Sequence, residues 1–207
     1  MKEKIENKER LCLGKEIVIF IGPEGAGKTT IAKLMCEETG KPYLTTGDIL
    51  RELAANDPGE LGEKCRKMFA EHVYLDGETL LKIMVQRFAL SDTTDGFVLD
   101  GGLRTLEETI DFSNILQEAG RGLPVSVIYL DIPDEVSFVR LVDGDNARKR
   151  RDDTVEGVSK RLTMFHKQLV ERLAVIATTP NWKIITIDAT VPVEKVYEEV
   201  CSKITSE

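Results

Sequence analysis

Short apolar runs alternate along the chain with longer amphipathic stretches. The runs are rich in Val and Ile, which is typical of strands buried on both faces of a parallel sheet. In the longer stretches apolar residues recur every three to four positions, and two of them end at a glycine, Gly40 and Gly120, as helices often do. The pattern predicts strands at residues 17–21, 43–44, 97–99, 125–132 and 183–187, and helices at residues 29–38, 106–119, 158–176 and 193–204.

Strands and helices that alternate in this order predict a parallel sheet covered by helices on both faces. The expected fold is α/β, with three α/β/α layers around five parallel strands, in a single domain of 207 residues. Two stretches interrupt the alternation. Residues 45–89 have a largely helical pattern and are expected to be an insertion, and residues 140–152 are short, polar and highly charged. Residues 1–13 are expected to be a loose tail.

The charge and hydropathy of the chain argue against two classes of partner. The formal net charge of −8 disfavours a protein whose main task is to bind nucleic acid, because such proteins present basic surfaces. No apolar run approaches the roughly 20 residues that span a bilayer, and the charged N-terminus lacks the apolar segment of a signal peptide. We therefore expect no membrane partner, a cytoplasmic location and, by default, a monomer.

The cysteines and histidines do not predict a zinc site. The four cysteines have no CxxC spacing, and the chain has only two histidines. Scattered thiols of this kind are typical of reduced cysteines that fill space. We expect neither a disulfide framework nor a structural zinc.

The strongest chemical signal is the glycine-rich segment GPEGAGKT at residues 22–29, hereafter the P-loop. It fits the pattern GxxxxGK[ST] and lies between a predicted strand and a predicted helix, as this motif requires. Its backbone amides can point at phosphate oxygens, Lys28 adds positive charge, and the hydroxyl of Thr29 or Thr30 can help to hold Mg²⁺. The alternative is that the glycines only make a tight turn. The motif predicts phosphate binding, but by itself it does not separate kinases from GTPases or transport ATPases.

Three further segments make the signal more specific. They are YLTTGDILR at residues 43–51, GFVLDGGLRT at residues 96–105, and RRDD at residues 150–153 followed by Arg161. With the P-loop, in this order and spacing, they resemble the adenylate kinase family of nucleoside monophosphate kinases over nearly the whole chain. The resemblance implies a P-loop NTPase fold in which residues 45–89 bind the acceptor monophosphate. It also implies that residues 140–152 form a short lid without a zinc-binding insertion.

The resemblance implies roles for individual residues. Phosphoryl transfer depends on alignment and on cations that absorb charge, and the planar fork of arginine suits that task. The implied catalytic residues are Lys28, Arg104, Arg140, Arg150 and Arg161. The implied ATP-binding residues are Gly22, Gly25, Ala26, Gly27, Lys28, Thr29, Thr30 and Arg140. The implied acceptor-binding residues are Thr46, Arg51, Leu75, Gly101, Arg104, Glu108, Arg150 and Arg161.

Mg²⁺ is the implied cofactor, with ATP as the phosphoryl donor. Thr29 and Asp100 would hold the ion, largely through water, at the carboxyl ends of the parallel strands, where ligands of such sheets bind. Asp152 and Asp153 would orient the lid-side arginines.

Several of these residues also have purely structural interpretations. Thr46 or Asp48 could cap a helix that begins near Ile49. Arg51 and Arg104 could be ordinary solvated arginines. The carboxylate of Asp100 could belong to a turn at the end of its strand.

Some positions depart from the family pattern. The P-loop has Glu24 where proline is usual and Thr29 where glycine is usual, which is more similar to thymidylate kinases. Glu108 stands where a glutamine reads adenine, and a carboxylate can only accept hydrogen bonds whereas the amide also donates. Gly144 replaces a lid arginine, and Arg148 or Lys149 could supply the missing charge.

The expected function is transfer of the γ-phosphate of ATP to a nucleoside monophosphate, with AMP the leading acceptor. A thymidylate kinase or another nucleoside monophosphate kinase is the first alternative. A catalytically weak nucleotide-binding protein of the same fold is the second, and it is motivated by Gly144 and by Gly102, where the family has an aromatic residue. A GTPase is disfavoured because the chain has no Asn-Lys-x-Asp segment.

Overall fold

Five parallel strands form the centre of the computed structural model, which describes residues 13–71, 75–144, 147 and 153–205. The strands are β1 (Ile17–Ile21), β2 (Tyr43–Leu44), β3 (Val98–Asp100), β4 (Val125–Asp131) and β5 (Trp182–Asp188). Their order in the sheet is β2-β3-β1-β4-β5. The predicted α/β fold and all five strands are confirmed, with strand ends that shift by no more than one residue.

The helices of the described ranges pack on both faces of this sheet. They are α1 (Lys28–Thr39), α2 (Thr46–Asn56), α3 (Glu60–Glu71), α4 (Gly77–Phe88), α5 (Leu106–Glu118), α6 (Asp134–Phe138), α7 (Val155–Lys167), α8 (Leu169–Thr178) and α9 (Val193–Thr205). A π-helical turn at Val139–Asp143 follows α6. Among these helices none is long and apolar enough to cross a lipid bilayer.

The side chains of β1 divide the core into two layers, because successive strand residues point to opposite faces. Ile17, Ile19 and Ile21 pack with α4, α5 and α8 on one face. Val18 and Phe20 pack with α1 and α9 on the other. All five residues of β1 are buried, so this strand is the centre of the molecule.

The prediction of one helix at residues 158–176 is wrong. The structure has two helices, α7 and α8, and the chain bends between them at Gln168, whose φ is −124° and ψ 12°. The Gln168 side chain accepts a hydrogen bond from the amide of Leu106 at the start of α5, at 3.1 Å. These two partners are 62 residues apart in the sequence. The spacing of apolar residues within residues 158–176 therefore does not show that the helix is interrupted at Gln168.

Side-chain caps explain where several helices begin. Thr45 caps α2 by accepting from the amide of Asp48, and the helix begins at Thr46. The alternative in which Thr46 or Asp48 caps a helix starting near Ile49 is therefore wrong. Thr105 caps α5 and Thr154 caps α7 in the same way. Each cap satisfies an amide that the helix itself cannot satisfy.

We predict that Gly96→Ala destabilises the fold strongly. Gly96 has a φ of 99°, and a Cβ atom there would lie 1.8 Å from the carbonyl oxygen of Glu16. The backbone would have to move beside β1, at an expected loss of about 3 kcal/mol in the free energy of unfolding. Urea denaturation with the linear extrapolation would measure this loss.

Gly120→Ala is the matched control. Gly120 has a φ of 70°, but a Cβ atom there would meet no atom within 4 Å beyond its own neighbours in the chain. Only the backbone penalty applies at this position, and it is roughly 1 kcal/mol. Equal losses for the two variants would contradict the steric explanation at Gly96.

Candidate active site

The P-loop lies at the carboxyl end of β1, the central strand, and leads directly into α1. Gly22, Gly25 and Gly27 all have positive φ values. Gly27 is the N-cap residue of α1, which has no side-chain cap and no acidic residue in its first turn. No carboxylate in the first turn and no capping side chain competes with an external anion for the start of α1, where the positive end of the helix dipole lies. This arrangement suits a phosphate group.

Lys28 is held over the P-loop by the loop itself. Its ammonium group donates to the carbonyl oxygens of Gly22, at 2.8 Å, and Pro23, at 2.7 Å. These bonds keep the positive charge beside the amides at the start of α1. The site thus combines a full charge with backbone donors, which is the combination that a polyphosphate needs.

A carboxylate lies next to the P-loop on the neighbouring strand. Asp100 ends β3, is only 7% exposed, and accepts at Oδ2 from the hydroxyl of Thr29 at 2.6 Å. Carboxylate and hydroxyl oxygens are the hard ligands that Mg²⁺ prefers, so the donor set fits this ion, with phosphate oxygens and water completing its shell. In the described ranges no three His, Cys, Asp or Glu side chains form a metal cluster by themselves.

Tyr43 is a site residue that the sequence analysis missed. Its hydroxyl donates to the same Oδ2 atom of Asp100 at 2.8 Å. Burial, and then the hydrogen bond to Asp100, raise the pKa of Tyr43, so it remains a donor at neutral pH. The strand register explains this contact. Tyr43 is paired with Val98, and Asp100 lies two residues after Val98 on the same strand, so the side chains of Tyr43 and Asp100 lie on the same face of the sheet.

Arg140 connects the P-loop to the chain after β5. Nη1 donates to the carbonyl oxygen of Gly25 at 3.0 Å, and Nη2 donates to that of Ala189 at 2.8 Å. An open cavity of about 440 Å³ lies beside it, and Ile31, Val191 and Val196 contribute apolar side chains to its wall. A flat aromatic ring fits such a wall beside a guanidinium group.

Arg161, on α7, contacts the P-loop at Glu24. Its Nη2 donates to Oδ1 of Asp153 at 3.0 Å, and its Nε lies 2.8 Å from Oε2 of Glu24. The Asp153 side chain is fully buried, so this bond holds the guanidinium group firmly. Glu24, which departs from the family pattern, is thereby a partner of a predicted catalytic arginine.

The predicted acceptor residues bond mainly within their own segments. Arg51 pairs with Asp48 at 2.6 Å, and the two side chains are 62% and 60% exposed. The Nε atom of Arg104 donates to the carbonyl oxygen of Gly101 at 2.6 Å. Thr46 is the first residue of α2, and Leu75 is partly buried against the larger core cluster. Thr46 and Arg51 follow β2 and Arg104 follows β3, so all three lie beyond the carboxyl ends of strands in the same parallel sheet as β1.

Glu108 has a role that the sequence analysis did not foresee. Its Oε1 accepts from the amide of Leu103 at 3.0 Å, and its Oε2 accepts from the amide of Arg104 at 2.7 Å. Both oxygens therefore hold the backbone of the loop at residues 101–105. Base recognition by Glu108 stays a prediction, and in this structure the carboxylate is engaged with that loop.

Part of the predicted lid, residues 145–146 and 148–152, lies outside the described residues, and the predictions for Arg148, Lys149, Arg150 and Asp152 fall there. Gly144, where the family pattern has an arginine, closes the π-helical turn by donating to the carbonyl oxygen of Val139 at 2.8 Å. A Cβ atom at this position would lie 2.5 Å from that oxygen. A side chain at position 144 therefore does not fit this turn unless the backbone moves.

Comparisons with known proteins point to one family. A family model described as adenylate kinase matches residues 20–178. An adenylate kinase of Methanosarcina barkeri is 29% identical over 88% of this chain and 95% of its own length. An adenylate kinase of Xanthomonas campestris is 33% identical over 72% of this chain and 78% of its own. One of Thermotoga neapolitana is 33% identical over 60% of this chain, and the match spans only 56% of that relative.

We predict that Tyr43→Phe weakens the magnesium-dependent part of ATP binding roughly tenfold, since groups that orient a metal-steering carboxylate commonly have effects of this size. The ring, and so the packing of β2, is retained. Isothermal calorimetry with ATP, with Mg²⁺ and then with EDTA, would measure the two affinities. The affinity in EDTA is expected to stay unchanged.

Tyr197→Phe is the control for this experiment. Its hydroxyl donates to the carboxylate of Glu38, between α9 and α1. The variant loses the same type of bond outside the Asp100 site. A similar loss of magnesium dependence in both variants would rule out the role assigned to Tyr43.

Proposed function

The chain belongs to the adenylate kinase family, and we propose that it is an ATP-dependent nucleoside monophosphate kinase with AMP as its leading acceptor. It transfers the γ-phosphate of ATP to the monophosphate and releases ADP and a nucleoside diphosphate. The observation that carries this proposal is the convergence of Arg140 and Arg161 on the P-loop, through Gly25 and Glu24. Two guanidinium groups beside an amide-lined loop can stabilise the negative charge on a phosphoryl group during its transfer.

The donor site is formed by the P-loop and its neighbours. The amides at the start of α1 and the ammonium group of Lys28 bind the β- and γ-phosphates. The cavity beside Arg140 receives the base. When Mg²⁺ is bound, Thr29 and Asp100 supply or orient its oxygen ligands, and the ion offsets phosphate charge. Direct in-line transfer needs no nucleophile from the protein.

The acceptor site is formed by residues that follow β2 and β3. Arg51 and Arg104 bind the monophosphate, with Arg150 and Arg161 approaching from the lid side, and Thr46, Leu75 and Gly101 line the nucleoside. The pair between Arg51 and Asp48 is exposed, and such pairs are worth about 0–1 kcal/mol. A phosphate dianion can therefore recruit Arg51 without a large loss of stability.

Residues 45–89 are proposed as the acceptor-binding insertion and residues 140–152 as the short lid. Closure of the lid over ATP would exclude water, so that the γ-phosphate reaches the acceptor and not a water molecule. AMP is proposed as acceptor because the relatives named above are adenylate kinases. Action in the cytoplasm, as a monomer, completes the proposal.

A catalytically weak nucleotide-binding protein is the second candidate. It is favoured by one observation, the π-helical turn that leaves no room for a side chain at Gly144. In that case the site would close on a nucleotide but transfer the γ-phosphate slowly, because the lid arginine that Gly144 replaces would not stabilise the charge of the transition state.

We predict that the purified protein phosphorylates AMP in a coupled assay and that Lys28→Met lowers kcat at least roughly 100-fold, because a fixed positive charge at the transferring phosphoryl group is lost. GMP, CMP, UMP and dTMP are tested beside AMP. Lys203→Met is the control, since this lysine pairs with Glu199 in the last turn of α9.

The outcomes separate the candidates. Turnover with dTMP or another base in preference to AMP would change the acceptor and keep the reaction. ATP binding without turnover on any of the five monophosphates would overturn the kinase proposal and favour the nucleotide-binding protein.

A further inference from the structure

Arg172, in α8, is a buried arginine that the reaction described above does not use. Only 2% of the residue is exposed, and it is among the largest fully buried side chains. Nη1 donates to the carbonyl oxygen of Leu103 at 2.7 Å, Nη2 to that of Phe165 at 2.7 Å, and Nε to that of Gln168 at 3.3 Å. Its Cζ atom lies 5.0 Å from the centre of the Phe165 ring.

Burying the positive charge of Arg172 is unfavourable, so the contacts that compensate this cost indicate what the residue does. Burial lowers the pKa of Arg172, and the nearby charge of Glu108 acts in the opposite direction. An apolar side chain of similar volume is often as good or better for stability at such a position. Packing alone is therefore a weak explanation for an arginine here.

The three carbonyl groups belong to two different parts of the site. Leu103 lies in the loop at residues 101–105, which carries Arg104, and it has a positive φ of 55°. Phe165 lies in the last turn of α7, and Gln168 joins α7 to α8, where its carbonyl oxygen also accepts from the amide of Arg172 at 3.0 Å. The guanidinium group of Arg172 thus ties this loop to the end of α7, the helix that carries Arg161.

A second bond joins the same two parts. The side chain of Gln168 accepts from the amide of Leu106, directly after the loop. Glu108 holds the amides of Leu103 and Arg104 from the other side. The backbone from which the Arg104 side chain extends is therefore fixed by several buried or partly buried bonds, whereas the Arg104 side chain itself is exposed.

We propose that Arg172 is a positioning residue for the acceptor site: it sets the loop at residues 101–105 at a fixed distance from the end of α7, so that Arg104 and Arg161 approach the acceptor phosphate together. This inference rests on the proposed function. Arg172 does not touch the substrate and acts through the backbone of Leu103. Its loss impairs the acceptor side and leaves the donor side intact.

Arg172→Met tests the proposal, because methionine fills similar volume without the donors. The affinities for AMP and for ATP are measured separately by calorimetry, and the KM for each is measured in the coupled assay. The expected result is a loss of AMP affinity, and a matching rise in its KM, of roughly tenfold to 100-fold, as for a misplaced site. ATP affinity and the melting temperature are expected to change little.

Arg121→Met is the matched control. Arg121 also donates to a backbone carbonyl, that of Leu90, at 2.7 Å, but it follows the end of α5, away from the loop at residues 101–105. This variant is expected to bind AMP like the wild type. Arg172→Lys keeps the charge but cannot span three carbonyl groups, so it is expected to resemble Arg172→Met.

If Arg172→Met does not fold, Gln168→Met replaces it, since it breaks only the link to Leu106 and is expected to show the same pattern with a smaller loss. Equal losses for ATP and AMP, or no loss of AMP affinity, would overturn the positioning role. A wild-type protein that binds ATP but no nucleoside monophosphate would overturn the proposed function instead.

Discussion

The uncapped start of α1 at the carboxyl end of β1 is the feature on which the site depends. A polyphosphate concentrates several negative charges, and fixed donors in a shielded position bind it without having to reorganise first. The buried strand β1 holds that helix end in place, and the parallel sheet brings the ends of β2 and β3 to the same edge. Asp100, Tyr43 and the arginine-bearing loops are all placed by this one arrangement.

The interactions around the site fall into fixed and movable groups. Asp153, which holds Arg161, and Arg172, which holds the loop at residues 101–105, are buried, so water does not compete for their bonds. Arg51 and Asp48 are exposed, and their ion pair breaks easily. The proposed kinase, which would have to bind, close and release, needs both kinds. The fixed bonds maintain the spacing of the cations, while the exposed arginine can turn toward an incoming phosphate.

Local patterns were sufficient to predict the strands and the P-loop, because each depends on residues that are close in sequence, and the order and spacing of four such motifs were sufficient to predict the family. Two of the features that were not predicted involve partners far apart in the chain. The break at Gln168 depends on Leu106, and the contact of Tyr43 with Asp100 spans 57 residues. Thr45 was not predicted to cap α2 because two threonines are adjacent in the sequence. The backbone conformation distinguishes them, since Thr45 is extended and Thr46 is the first helical residue. The sequence pattern likewise did not indicate that Glu108 would bind backbone amides.

The departure at Glu108 has a physical reason in this structure. The backbone amides of Leu103 and Arg104 need two acceptors, and each carboxylate oxygen of Glu108 accepts a hydrogen bond from one of them. A glutamine at this position offers only one oxygen, and its NH₂ group would oppose the second amide. Glu108 and Arg172 also bind opposite ends of Leu103, one at its amide and one at its carbonyl, and the carboxylate charge offsets the buried guanidinium. The carboxylate of Glu108 and the buried arginine are thus two parts of one arrangement that holds the loop. Base recognition by Glu108 stays a prediction, and it would require the carboxylate to exchange these amides for the base.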